Sequence, residues 1–438
     1  MNKTAEPGGA AQRVGGSSLF SQALALVDRR QFLEAVDEHG AERNTKGFRS
    51  WDQFVAMLFG QFAQCGSLRE ITCGLGSAVG KLKHLGLEEA PSRSTLAYAN
   101  QKRPWQVFEA VFHQLLGDMR SEFAGTKKFR FRNKLYSMDG SVIDLCASVF
   151  PWATYMRTKG AVKLHLLLDH DGPLPVMARI TTGNESERKI ARSTCFAPGS
   201  IVSVDRGYVS YELFKHWIDS DVFFVVRPRR GKTGMNYEVI EERDPPGRGP
   251  VLADEIIQLT SKAAKKARIT EDRLRLVTVW NEEKQCEYQY LTNNLKLGAT
   301  TIASIYRSRW EIEKFFRVLK QNTHVKSFLG TTANAVRTQI WTALIAMLIV
   351  FYLKRKSRQG WSTSNLVAML RMNLVAYRDI WRWLDDPYSN PSATPDNPRQ
   401  SLLPFPGLGQ QKRGNPKRRR RSRPSERASR RRKRTSKT

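Results

Sequence analysis

The sequence predicts an α/β core, a mixed sheet with flanking helices, which carries a β-rich insertion. An all-α N-terminal domain precedes it and a basic, disordered tail follows. Three observations lead there. Apolar residues recur at helical spacing from Leu19 to about Leu116; strand-like runs begin near Phe129; and residues 411–438 hold fifteen Lys or Arg against Glu426 alone. A chain of 438 residues with 40% hydrophobic side chains and a net charge of +31 has ample material for several domains.

Taken in order, residues 1–18 are rich in Gly, Ala and Ser and are expected to be disordered. Residues 19–128 form the helical domain, expected to bind DNA. Within it, Ser67 to Leu75 and Ser92 to Arg103 suggest a helix, a connection and a second, polar helix capped by Ser92 or Ser94. Arg93, Asn100, Gln101, Lys102 and Arg103 are side chains of the kind that contact phosphates and base edges, so this pair is either a DNA reader or an ordinary solvated helix face.

The first part of the core, 129–228, carries strands at Phe129 to Met138, Val142 to Ala147, Ala161 to Leu168, Pro175 to Thr181, Ser200 to Val204 and Val222 to Val226, with a helix near Tyr211 to Ile218. Residues 229–293 form the β-rich insertion, with strands at Tyr237 to Ile240, Leu274 to Trp280 and Cys286 to Leu291. The second part of the core, 294–385, is helical: Thr301 to about Lys320, Ala335 to Lys354 and Asn365 to Leu374. A Pro-rich linker and basic tail fill 386–438.

Charge and composition narrow the functional classes. A surface this basic attracts polyanions, and the chain ahead of the tail still carries more than half of the +31, so nucleic acid is the expected partner. The five cysteines include no CxxC pair, and the seven histidines form no pair at ligand spacing, so neither a disulfide framework nor a structural zinc site is expected. His165, in a strand of the proposed core, is the least safely dismissed of them. The N-terminus lacks an apolar signal core, and the run Ile340 to Leu353 is too short for a typical membrane span, so a buried helix, no membrane partner and a reducing cytoplasm are expected.

Three acids stand out. Asp139 and Asp205 each follow an apolar strand, where a sheet presents ligands into a crevice, although an Asp-Gly in that position is commonly just a turn. Glu313 lies in Tyr306-Arg-Ser-Arg309-Trp-Glu-Ile-Glu313-Lys-Phe-Phe-Arg-Val-Leu-Lys320. On one continuous helix, Tyr306, Arg309, Glu313 and Lys320 share a narrow stripe beside an apolar stripe of Ile305, Ile312, Phe315, Phe316 and Leu319. Converging carboxylates suit hard divalent cations and phosphodiester chemistry. The competing reading is a helix braced by i,i+4 ion pairs.

These residues resemble the insertion-sequence-4 type of DDE transposases. The helix signature Tyr306, Arg309, Glu313, Lys320 is complete, Asp139-Gly140-Ser141 and Asp205-Arg-Gly207-Tyr208 resemble the two aspartate motifs, and Val222 to Arg227 resembles the strand that follows. The resemblance covers roughly Lys134 to Leu374. It implies a ribonuclease-H-like core, with Asp139, Asp205 and Glu313 as ligands of two Mg²⁺ (or Mn²⁺) ions. It further implies that Tyr306, Arg309, Lys320 and Arg227 contact transposon-end DNA and that Trp280 holds a flipped base, unless that Trp is simply packed in the small sheet. The expected chemistry is metal-dependent cleavage at transposon ends and strand transfer by the freed 3′-OH, without a covalent enzyme intermediate. The expected partners are double-stranded DNA (terminal inverted repeats and target) and a second copy in a synaptic homodimer near the bacterial nucleoid. A nuclease that cuts without joining, or a non-catalytic DNA-binding protein, remain the alternatives.

Overall fold

The computed structural model describes residues 17–389 except 44, 46, 124–128, 157–158, 173, 230–234, 245–248 and 326. Of the stretch 1–18 expected to be disordered, residues 1–16 lie outside the described residues, as does the basic tail beyond 389, whereas Ser18 is ordered as the cap of the first helix.

Six helices open the fold: α1 (Leu19–Leu24), α2 (Arg29–Glu38), α3 (Ser50–Ala63), α4 (Leu68–Ser77), α5 (Arg93–Lys102) and α6 (Gln106–Phe123). Their starts follow the expected cap chemistry. Ser18, Asp28, Ser67 and Ser92 each accept a backbone N–H of the turn they precede.

The sheet strands are β1 (Leu135–Cys146), β2 (Thr154–Met156), β3 (Lys159–Asp169), β4 (Leu174–Thr182), β5 (Ile201–Val204), β6 (Phe223–Val226), β7 (Tyr237–Arg243), β8 (Val251–Leu259), β9 (Leu274–Asn281) and β10 (Cys286–Thr292). They form one mixed sheet ordered β2-β3-β1-β5-β6-β10-β9-β8-β7, with β4 also on β3. Helices α7 (Glu187–Ser193), α8 (Tyr211–Asp219) and α9 (Lys262–Lys266) lie within this region. After it come α10 (Ala299–Ser308), α11 (Trp310–Asn322), α12 (Ala333–Lys356), α13 (Thr363–Asn373) and α14 (Ile380–Asp385).

Three differences from the sequence expectation matter. First, the two strands expected around Asp139 are one. Pairing with β3 runs unbroken through Asp139↔Leu166 and Gly140↔His165, so Asp139 is inside β1 rather than at its end.

Second, the β-rich segment extends the core sheet instead of closing a second one, because β10 pairs with β6 at Leu291↔Val226 and Thr292↔Val225. Its strand β8, not among those expected in the insertion, carries Asp254. Across the ladder Arg275 donates to both Asp254 oxygens at 2.7 and 2.6 Å, which satisfies the buried acid.

Third, the helix expected over Thr301 to Lys320 is two helices, broken at Arg309.

The sheet is covered on both faces. Met138, Val202, Val204, Phe224 and Val226 pack against α8 residues Leu213, Phe214 and Trp217, while Leu135, Ile201, Val225 and Val277 pack against Ile302 and Ile305 of α10. The apolar α12 is almost wholly buried, and among the described residues it is the one helix long and apolar enough to cross a membrane. Trp341 at its centre stacks near Trp105 and Phe112 of the N-terminal region.

The helices after the sheet thus share a core with the helices before it. The first and last described segments are tied: Leu19 N donates to Ala376 O at 3.0 Å, and Ile380 N to Gln22 Oε1 at 2.9 Å.

Candidate active site

Parallel pairing of β1 with β5 ends at Met138↔Val204. The next residue after each of these is an acid, so Asp139, within β1, and Asp205, just past β5, follow the last paired residues of adjacent strands. Each is fixed by a short loop bond: Gly140 N–H donates to Asp139 Oδ1 at 2.8 Å, and Gly207 N–H to Asp205 Oδ1 at 2.7 Å. Asp205 thereby caps a 3₁₀ turn over Arg206–Tyr208.

Glu313, in the first turn of α11, reaches this pair through Arg309. The buried guanidinium donates from Nη2 to Glu313 Oε1 at 2.6 Å and places Nη1 at 3.9 Å from Asp139 Oδ2. It also lies over the Tyr306 ring, 5.5 Å from its centroid. Arg309, the one residue between α10 and α11, keeps helical backbone angles (φ −54°, ψ −28°) and so still meets Glu313 one turn on.

Burial dominates the electrostatics. It pushes the Asp139 carboxyl up to about 7, against the lowering effects of Arg309 and the Gly140 N–H, while Asp205 and Glu187 raise it further. Burial alone would lower Arg309, yet Tyr306, Glu313 and Asp139 together leave its pKa raised and its charge secure. Burial also raises Tyr306, which packs against Tyr290 with ring centroids 5.1 Å apart. The His165 ring is pushed down to about 4 by burial and by Lys163 and Arg179, so it is neutral near pH 7; its Nε2 pairs with Thr181 Oγ1 at 2.9 Å.

The remaining candidates divide. Lys320 Nζ donates to Val142 O at 3.0 Å, beside the site strand. Arg227 stacks over Tyr288 at 3.8 Å, with its buried Nε unpartnered in the chain. Trp280 is 37% exposed on β9.

On α5, Arg93 and Lys102 are exposed, but Arg103 is taken up by the fold: it donates to Phe48 O and Gln53 Oε1 and covers the Phe48 ring. Asn100 is buried against Gln53 and Met57.

Sequence reasoning missed Glu187. It stands in the first turn of α7, and the Ser186-Glu187 start of that helix is a cap pattern that marks it. Its Oε1 lies 3.0 Å from where a Cβ on Gly140 would be, and its Oε2 3.3 Å from where one on Gly207 would be.

Carboxylate oxygens are the hard donors that Mg²⁺ and Mn²⁺ take. Among the described residues no three acid, His or Cys side chains converge closely enough to hold an ion. Arg309 instead supplies the positive charge between Asp139 and Glu313. The Tyr208 hydroxyl, fully buried beside Glu187, Asp139 and Asp205, has no hydrogen-bond partner among the described residues. Donor chemistry and this unpartnered hydroxyl fit a divalent cation at the aspartate pair.

Comparison with known proteins bears on the same residues. Residues 131–349, which include all three acids, match the family model described as transposase DDE domain, and residues 15–88 match a domain of unknown function. A Sinorhizobium fredii protein named as a transposase is 31% identical over 307 residues, 69% of this chain and 83% of the relative. A Geobacillus stearothermophilus protein named for the insertion sequence element IS5377 is 24% identical, over 62% of this chain and 70% of the relative. One from Synechocystis, named for the element IS4SA, is 21% identical over 69% and 84%. A solved piggyBac transposase synaptic complex with hairpin DNA aligns at TM-score 0.39 and 10% identity over 82% of this chain and 78% of that one, too distant to carry an argument.

Proposed function

The chain belongs to the transposase DDE-domain family and is a DNA transposase; from its site we propose that Asp139, Asp205 and Glu313 are the acids that cleave transposon ends and transfer the freed 3′-OH to target DNA. The observation that carries this reading is the pair of acids that follow the last paired residues of the β1/β5 ladder, with one guanidinium linking Asp139 to Glu313. The sheet supports reading the core as ribonuclease-H-like: β3 antiparallel to β1, then β1, β5 and β6 parallel.

Asp139 and Asp205 are the residues to hold divalent cations, Mg²⁺ or Mn²⁺, and Glu313 joins them when Arg309 releases it. When bound, the cations supply the charge that activates a water and stabilises the leaving 3′ oxygen. The chain's own residues do the rest. Burial keeps Asp139 poised between protonated and ionised forms. Arg309 holds the trio together until the phosphate backbone offers it another anion. Lys320 at the edge of β1, Arg227 over Tyr288, and the exposed Arg307, Lys314 and Arg317 present cations to the DNA backbone. Trp280 on β9 is exposed enough to stack on a base. Arg93 and Lys102 on α5 are left to contact DNA from the N-terminal region. The partner is double-stranded DNA, bound by a synaptic homodimer.

The test is a plasmid carrying the inverted repeats that flank the gene. Asp139→Asn, Asp205→Asn and Glu313→Gln are each expected to abolish Mg²⁺-dependent end cleavage while DNA binding is kept. An active Glu313→Gln enzyme refutes the trio. Cleavage without joining of a pre-cut 3′-OH end refutes strand transfer and leaves a nuclease.

A further inference from the structure

We propose that Glu187 is a positioning residue of this catalytic centre: from the α7 side of the sheet it fixes the glycine-bearing segments that carry Asp139 and Asp205, and it adds the negative charge that draws a divalent cation to them. The proposal rests on the assignment of those aspartates as metal-holding residues.

Both segments are glycine where they meet Glu187. A Cβ on Gly140 would meet Glu187 Oε1 at 3.0 Å, and one on Gly207 would meet Asp205 Oδ1 at 3.0 Å and Glu187 Oε2 at 3.3 Å. The carboxylates of Glu187 and Asp205 therefore both lie against one point, the place a Cβ on Gly207 would occupy. Glu187 is itself anchored by Lys163 Nζ at 3.3 Å from Oε1, and the next residue, Arg188, donates from Nε to Gly207 O at 3.0 Å. One turn of α7 thus grips the loop after Asp205 while its carboxylate lies beneath the residue after Asp139.

A second observation points to a guest among these groups. The Tyr208 hydroxyl is fully buried, lacks a partner among the described residues, and feels Glu187, Asp139 and Asp205 together. A donor stranded among three acids, two of which face a cation (Glu187 with Lys163, Asp139 with Arg309), marks a place where a hydrated cation is the fitting occupant. Without Glu187 the two aspartate segments lose their common support and the site loses one negative charge within a few ångströms of Asp205.

The test is a Mn²⁺ titration of the full-length chain with a terminal-repeat duplex, free Mn²⁺ being read by electron paramagnetic resonance and the Asp139→Ala/Asp205→Ala double variant giving the background. Glu187→Gln keeps the shape and removes the charge; it is expected to weaken site-specific Mn²⁺ binding about tenfold, the scale of one unit charge acting on a divalent ion several ångströms away where water screens the interaction. Glu187→Asp is expected to bind within about threefold of wild type, since it restores the charge that term depends on. Glu185→Gln, two residues earlier and paired with Lys189, serves as the control with wild-type affinity.

Wild-type affinity in Glu187→Gln overturns the proposal, even if cleavage or thermal stability falls, because the residue would then be merely structural. Equal weakening in Glu185→Gln overturns it too. A wild-type chain indistinguishable from the double variant sinks the aspartate assignment itself, which separates the two failures.

Discussion

The buried Asp139 carboxyl makes the site a local liability for folding, and its removal should stabilise the protein in a pH-dependent way. The folded state holds a proton on Asp139 up to about pH 7, whereas the unfolded chain releases it near the ordinary 3.8. Between those values the native state binds more protons, so this group's contribution to stability falls as pH rises from about 4 to 7 and stays lost above. The gap corresponds to roughly 4 kcal/mol at most. Because the side chain retains 18% exposure and can relax toward water, about half of that, ~2 kcal/mol, is the working figure. Asp139→Asn is close in shape and carries no such cost. Thermal unfolding of wild type and Asp139→Asn in chelator should therefore show the variant gaining several degrees relative to wild type between pH 4.5 and 8. Added Mn²⁺ at pH 8 should raise the wild-type midpoint and leave the variant's unchanged. A difference that does not change with pH, or a variant that loses ground as pH rises, refutes the argument that burial of an ionised Asp139 strains the fold.

Three other outcomes follow from the same structure. Arg309→Lys removes a guanidinium that reaches Asp139 and Glu313 at once; a lysine offers one point charge, so end cleavage measured on plasmid substrate should fall a hundredfold or so, about 3 kcal/mol. Asp254→Ala strands Arg275, whose side chain is 4% exposed in the sheet interior, and should cost about 3–5 kcal/mol in denaturant unfolding, against little loss when both are replaced by apolar residues of similar volume. Trp341→Ala empties the centre of α12, where the N-terminal and C-terminal helices meet, and should cost about 3–5 kcal/mol with loss of both regions in one transition by far-ultraviolet circular dichroism.

The sequence carried the helices well where local chemistry decides them: Ser67 and Ser92 cap the helices that begin after them, and the apolar run in α12 is the buried helix its composition suggested. It was a poorer guide at β8, since Asp254 is tolerable there only because Arg275, diagonal to it across the ladder and 21 residues on, donates to both of its oxygens. Glu313 stood out because one stretch of sequence places Tyr306, Arg309 and Lys320 around it at helical spacing. Glu187 did not, because nothing in its own segment shows that two glycines lie above it.

By itself the sequence determined what depends on neighbours in the chain: a basic nucleic-acid-binding protein, a mixed sheet with helices, and three acids in recognisable settings. Tertiary structure alone decided what depends on distant segments meeting. Parallel register between β1 and β5, more than sixty residues apart, brings Asp139 beside Asp205. The fold likewise buries Arg309 where its guanidinium lies close to both Asp139 and Glu313. Periodicity within a segment records which face is buried; it holds no record of which other segment lies against that face.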